Sequence, residues 1–299
     1  MIKLFKEFER EVIEEVHNRL GNVKVIPDMV LKNNGLKLHA LSITTEGEKR
    51  GVYVYLDALY SGYLKCKLEF SEVVDSVVEQ FKEGIHQFAF DISCLGEYEK
   101  VKKLIRGRLL NTEKNEEILS TVPHRNFLDL SIVYYINIKP TDGKGIGSMR
   151  IDSHWLERWG IDEEILYQQM MENMQQADEG KLSGMATVME ELFGMDMGCA
   201  EPEFPMYVLS NQQRANGAVE ILNKTVFEKA VERLGENFWI LPSSLHEWIL
   251  LPMKNGQEDT EYLRSMIREI NDTQVATEDI LSYNLYCYRQ ENGKIEIAA

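Results

Sequence analysis

What this chain lacks narrows its function before any motif is considered. Cysteine is scarce: four in 299 residues, at 66, 94, 199 and 287, with no CxxC and no His/Cys grouping at metal-ligand spacing. That spacing argues against a zinc ribbon and gives no support to a disulfide framework, so buried free thiols in a reducing compartment are expected. No apolar run approaches the roughly 18 residues that a membrane span needs, and none is expected. The opening MIKLFKEFEREVIEEVHNRL is charged from its third residue. It suits an amphipathic helix and not a secretory leader, so the expected localisation is cytoplasmic. Positive charge is short too: 33 Lys and Arg stand against 49 Asp and Glu, a net charge of −16. Nucleic-acid binding draws much of its affinity from cations that neutralise phosphates, and this balance opposes it. One basic cluster remains, Lys100, Lys102, Lys103, Arg106 and Arg108 in KVKKLIRGRLL, either a solvated surface or a local anion patch.

Complete catalytic signatures are also missing. His246-Glu247 begins like a zinc-peptidase motif, but HEWILL has no second histidine one helical turn on, so the two-histidine metal site cannot form. DGKGIGSMR (142–150) lacks both GxxxxGK[ST] and GxGxxG and is flanked by strand-like sequence, so it reads as a hairpin. No GxSxG precedes a helix. Neither a metal nor a cofactor is implied.

Residues 2–20 carry Leu4, Phe5, Phe8, Val12, Ile13, Val16 and Leu20 at helical spacing, with Gly21 as a stop. KVIPDMVLKN, KLHALSITT and GVYVYLDALY then read as strands joined by turns, and Ser71 as the cap of a helix over SEVVDSVVEQFKEG. After Tyr98 come strands (KLIRGRLLN, FLDLSIVYYINI) around a helical KNEEILSTV, and then a helix capped by Asp162. MYVLSN, the helix KTVFEKAVERLG, a hairpin over 237–252, the helix TEYLRSMIREIN and a strand pair complete the chain. Hairpin-length links outnumber crossover helices, which points to an α+β fold with mainly antiparallel sheets. Two domains are expected, 1–97 and 98–299. Eight of the 13 methionines fall between Met170 and Met206, and the Gly-, Pro- and acid-rich stretch 178–205 is expected to be flexible. Within it Met185, Val188, Met189 and Leu192 share one helical face, either a cover for the core or an adaptable surface for a protein partner.

The densest polar knot is LPSSLHEWILLP (241–252). One reading is half of a catalytic site, with Ser244, His246 and Glu247 as candidates. The other is a hairpin turn: Pro242 ends a strand, the serines bond free backbone groups, and His246-Glu247 begins the return. On an extended chain Ser244 and His246 share a face and Glu247 takes the other. Candidate ligand-binding residues are His124 and Arg125, with Asp129 nearby, or alternatively a cluster in which these pair with one another. Asn211 and Arg214 join them, at a strand-to-helix junction where free N–H groups and a guanidinium suit an anion or plain capping.

The set KNNGLKLHALSI, VYLDALY, LLNTEKNEEIL…PHRNFLDLSIVYY, YVLSNQQRANGAVEIL and ILPSSLHEWILLP resembles the bacterial family called domain of unknown function 5688, through essentially the whole chain. From KLIRGRLLN onward the order of elements is also similar, more weakly, to the YtpQ-like family, likewise of unknown function. The resemblance implies no activity or cofactor. It marks Asn33, Asn34, Gly35, Asn111, Asn115, Pro123, His124, Asp129, Asn211, Gly217, Pro242, Ser243, Ser244, His246 and Glu247 as typical of the family. The function expected is a non-enzymatic protein- or ligand-binding module; the alternative is a hydrolase acting on an anionic substrate around the Ser-Ser-Leu-His-Glu hairpin.

Overall fold

In a computed structural model, residues 3–48, 51–87, 92–138, 147–194, 205–253 and 260–298 are described. The chain divides into two compact units, one of residues 1–91 with 138–147, the other of 92–137 with 148–299.

In the first unit, α1 (Phe5–Leu20) precedes β1 (Val23–Leu31), β2 (Lys37–Thr45) and β3 (Gly51–Tyr55), an antiparallel sheet in that order. Then come α2 (Asp57–Leu64) and α3 (Phe70–Gln87). The stripe Phe8, Val12 and Val16 of α1 meets Val73, Val74, Val77 and Phe81 of α3 over Leu41, Ile43 and Val54 of the sheet. Two sequence expectations fail here. DALY is helical, because Asp57 takes the His39 N–H (2.7 Å) and ring (3.1 Å) onto its carboxylate and opens a turn where a strand would need β-branched residues. Ser71 lies inside α3, not at its cap: the Val73 N–H already bonds the Glu69 carbonyl, and Glu72 reaches back to the Glu69 N–H at 2.7 Å.

The second unit opens with the short α4 (Tyr98–Val101), then β4 (Ile105–Asn111), the single-turn α5 (Glu116–Leu119), β5 (His124–Phe127), β6 (Leu130–Ile138) and β7 (Gly147–Arg150). These strands form a sheet in which β4, β5 and β7 all pair with β6. Next follow α6 (Ser153–Trp159), capped by Asp152, and α7 (Glu163–Ala177), capped by Asp162 as expected. The α7 helix crosses β4 at Gly107, where a Cβ would meet the Met170 sulfur at 2.3 Å, and Asn173 donates to the Lys102 and Ile105 carbonyls.

The remaining elements are β8 (Gly180–Gly184), α8 (Met185–Phe193), β9 (Tyr207–Asn211), a 3-10 turn (Gly217–Leu222), α9 (Lys224–Leu234), β10 (Asn237–Ser244), β11 (Glu247–Pro252), α10 (Thr260–Thr273), β12 (Tyr286–Arg289) and β13 (Lys294–Ile297). Their six strands make one antiparallel sheet, ordered β13-β12-β10-β11-β9-β8. Alternation along β10 serves both faces. Trp239 and Leu241 pack with Leu263 and Ile267 of α10, while Phe238 stacks with Phe227 of α9 and Tyr288. The architecture is α+β, mainly antiparallel, as the hairpin-length links require.

The stretch 178–194 holds an edge strand and a helix: β8 pairs residue for residue with β9, and Val188 is buried. Residues 195–204 of that stretch, and 142–146 of the glycine-rich turn, lie outside the described residues. Pro242 sits within β10, opposite Trp248. The β12 partner leaves β10 at Ile240, so the strand has one neighbour at Pro242 and tolerates its missing N–H. Of the cysteines, Cys287 is buried and Cys94 half-buried, but Cys66 is exposed, against the expectation of buried thiols. Among the described residues no helix is long and apolar enough to cross a membrane.

Candidate functional site

Of the polar residues typical of the family, Asn211, Ser244 and His246 gather where the loop after β9 meets the β10–β11 turn. Asn211 clasps its own loop, its amide donating to the Ala215 carbonyl at 2.8 Å and its Oδ1 accepting the Ala215 N–H at 3.1 Å. The loop then enters the 3-10 turn at Gly217, which lies so close to the hairpin that a Cβ would sit 2.4 Å from Ser210 Oγ, 2.5 Å from the Asn211 nitrogen and 2.7 Å from the His246 carbonyl. Ser210 Oγ donates to that carbonyl at 2.7 Å, the Ala218 N–H to Leu245, and the buried Trp248 indole to the Ala218 carbonyl at 2.7 Å.

The His246 ring is bonded through one nitrogen and faces a carboxylate with the other. Its Nδ1 accepts the Asn216 N–H at 3.0 Å, which places the ring proton on Nε2, 3.5 Å from Asp279 Oδ1. Ser244 Oγ accepts the His246 N–H at 3.1 Å, the side-chain-to-backbone bond of a polar turn. Leu245 and His246 form the turn itself, so Ser244 and Glu247 are opposed across the hairpin, and the alternation expected of an extended chain does not apply. Nδ1 of His246 is occupied by the Asn216 N–H, and Ser244 meets His246 through the His246 backbone N–H.

The other sequence candidates have separate surroundings. Arg125 forms a fork with Glu163 (3.2 and 2.8 Å), bonds Glu164 and lies over the Tyr167 ring at 3.9 Å; Tyr134 also donates to Glu163. Glu163, and then Glu164, raise the guanidinium pKa further above its ordinary value. His124 is exposed and contacts the Val122 carbonyl through Nδ1 at 3.0 Å. Asp129 accepts from Ser282 (2.8 Å), Asn284 (2.9 Å) and Tyr286 (2.5 Å). His124, Arg125 and Asp129 therefore neither pair with one another nor converge. Arg214 bonds Glu191 of α8 at 2.6 Å, and the cavity beside it, about 10 Å³, holds no more than a water. Thus Asn211, Ser244 and His246 come together, while Arg125 and Arg214 are engaged with carboxylates of helices. The basic cluster disperses as well: Lys100 pairs with Glu97, Lys102 with Glu99, and Arg106 bonds the Lys103 and Ile105 carbonyls.

One feature escaped the sequence reading, and so did the cross-sheet partner of Arg108, a residue of the basic cluster. Glu220 of the 3-10 turn is buried beside Gly180, bonded by the Asn223 amide at 2.8 Å, and burial pushes its carboxyl up to about 7. A single acid inside the apolar run GAVEIL was the only trace of it. Arg108 reaches from β4 across the sheet to Ser148 of β7, and its trace was the alternation of Arg, Gly and Arg in IRGRLL. Among the described residues, no group of three or more His, Cys, Asp or Glu is placed to hold a metal ion.

The fold and the knot define an α+β protein whose polar signature residues tie loops to a six-stranded antiparallel sheet. The model of the family of unknown function DUF5688 matches residues 5–290, and the chain belongs to that family. The comparisons with curated proteins and with solved structures found no match.

Proposed function

We propose that this protein is a non-enzymatic binding module. The observation that carries the reading is the state of His246: with Nδ1 accepting from Asn216 and Nε2 facing Asp279, it forms no hydrogen bond through which Ser244 could lose a proton. A hydrolase built on this hairpin needs that bond. The remaining members of the knot are occupied in holding backbone to backbone, which is the work of a scaffold. A protein partner engaging the Met-rich stretch 178–205 is part of the same proposal, supported by its composition.

The test is a panel of anionic esters (phosphomonoester, phosphodiester, sulfate ester) incubated with the full chain, with Ser244→Ala and with His246→Gln. The expected result is no turnover above the protein-free control by any of the three. Turnover by the wild type that falls at least tenfold in His246→Gln, with circular dichroism unchanged, overturns the reading in favour of the hydrolase.

A further inference from the structure

The sheet of β4, β6, β5 and β7 has two unlike faces. Ile105, Gly107 and Leu109 of β4 turn inward, with Gly107 against α7 and the 3-10 turn. Arg106 and Arg108, alternating with them, lie on the other face. Cross-strand partners share a face, so the register puts Tyr135 of β6 (opposite Arg106) and His124 of β5 (opposite Val133, itself opposite Arg108) with these arginines.

Arg108 does not stay on its own strand. Its guanidinium lies 3.8 Å from the centre of the Tyr135 ring and donates through Nη2 to Ser148 Oγ at 2.6 Å. Since β6 separates β4 from β7, the side chain spans two strand spacings, roughly 10 Å, over the middle of the sheet. Arg150 follows Ser148 by two residues on β7, and the Ile151 N–H bonds the Tyr134 carbonyl, fastening this end of β7 next to Tyr135. Neither Arg108 nor Arg150 has a carboxylate partner among the described residues, whereas Arg19, Arg125, Arg214 and Arg264 all do. Arg150 thus adds a second positive charge beside Ser148, with no carboxylate partner for either arginine among the described residues. Burial holds the Arg108 guanidinium below its ordinary pKa; Tyr135 opposes the shift, and repulsion from Arg150 adds a smaller push in the same direction as burial. Two residues along β6 from Tyr135, Asn137 Oδ1 is buried and has no hydrogen-bond donor among the described residues.

We propose that Arg108 and Arg150, with Ser148 and Tyr135 beside them, form an anion site that takes the phosphoryl group of a small phosphomonoester. Guanidinium forks match tetrahedral oxyanions in pairs, and a doubly charged phosphoryl group supplies the missing counter-charge. Arg108 uses its five N–H groups on Ser148 and Tyr135 only in part, so the others remain for the ligand. Compactness is dictated by the rest of the molecule. At a net charge of −16, an extended polyanion or an acidic peptide meets repulsion on leaving the site, and a small dianion does not. The inference rests on the binding-module reading and gives it a ligand class.

The experiment measures the melting temperature of the full chain, and the Kd by calorimetry, with inorganic phosphate, with phenyl phosphate and with chloride at matched ionic strength. Wild type, Arg150→Gln and Arg108→Gln are compared. Arg150→Gln is the decisive variant, since Arg150 has no side-chain hydrogen bond or ion pair among the described residues whose loss would unfold the protein. Phosphate and phenyl phosphate are expected to raise the melting temperature above chloride, and Arg150→Gln to weaken both about tenfold or more. Tighter binding of phenyl phosphate identifies a monoester as the ligand; equal binding identifies free phosphate. Equal shifts with chloride, or unchanged affinity in Arg150→Gln, overturn the site. So does an oligonucleotide that binds more tightly than phenyl phosphate through the same arginines. Absence of phosphate binding together with absence of ester turnover removes this site and leaves the binding-module reading standing; His246-dependent turnover does the reverse.

Discussion

The Tyr286 hydroxyl donates to Asp129 Oδ1 at 2.5 Å, fastening the turn between β5 and β6 to the first residue of β12. Ser282 and Asn284 complete the carboxylate's shell, and Tyr286 is fully buried, its phenol pushed up in pKa by burial and then by the Asp129 charge. Asp129→Ala leaves a buried hydroxyl and two further donors without their acceptor, and should cost about 3 kcal/mol. Asp129→Asn keeps the shape but surrenders the charge and one acceptor oxygen, and should cost roughly half as much. Urea unfolding measures both; a midpoint shift at constant slope is the expected form.

Gly217 permits the close approach of the β9 loop to the hairpin. Its φ is unremarkable, so space and not conformation decides. A Cβ there would meet backbone atoms, the Asn211 nitrogen at 2.5 Å and the His246 carbonyl at 2.7 Å, which cannot swing aside as a side chain can. Gly217→Ala should destabilise by about 2–3 kcal/mol, and Gly235→Ala, with open space around it but a φ of +87°, by about 1 kcal/mol. Thermal unfolding of the pair separates crowding from backbone strain.

Period and turn chemistry were enough to read α1, α3, α9, α10 and the 237–252 hairpin from sequence, because each buries one regular stripe or alternation. The edge strand Gly180–Gly184 was not legible: its residues are Gly, Lys, Leu, Ser and Gly, and its conformation comes from pairing with β9. The same holds for DALY, whose helix depends on the contact between Asp57 and His39. Part of the knot was legible, since Ser244 and His246 are neighbours in the chain. Asp279 was not, being 33 residues from His246 and brought there by the bond from the Leu245 N–H to its carbonyl. Arg108 and Ser148 meet only through the pairing of three strands, a relation that periodicity within one strand does not carry.

His246 acts on Asn216 through a bond that a local probe can follow. In His246→Ala the Asn216 N–H loses its acceptor in a loop where Arg214 and Asn216 both hold positive φ, +52° and +54°. The expected cost is about 1–2 kcal/mol. Hydrogen exchange at the Asn216 amide should quicken by more than the global destabilisation explains, since the loop opens without the sheet. Exchange that follows global stability alone would show that Gly217 and Asn211 hold the loop without the ring.

Glu220 sets a pH dependence of the opposite sign to that of a salt-bridged acid. Burial raises its folded-state pKa to about 7 from an ordinary 4.5, so the folded protein binds the proton more tightly than the unfolded chain does. Its contribution to stability is therefore full below about pH 4.5 and is lost as pH rises toward and through 7. A shift of this size corresponds to about 3 kcal/mol at most, the Asn223 amide offsetting part of the charge penalty. Glu220→Gln keeps an acceptor for that amide and removes the titration. Unfolding free energies measured from pH 4.5 to 8.5 should fall less steeply in the variant, and above pH 7 the variant should be the more stable protein. Parallel curves for the two proteins would mean that Glu220 stays ionised in the folded state, with Arg106 supplying the compensating charge.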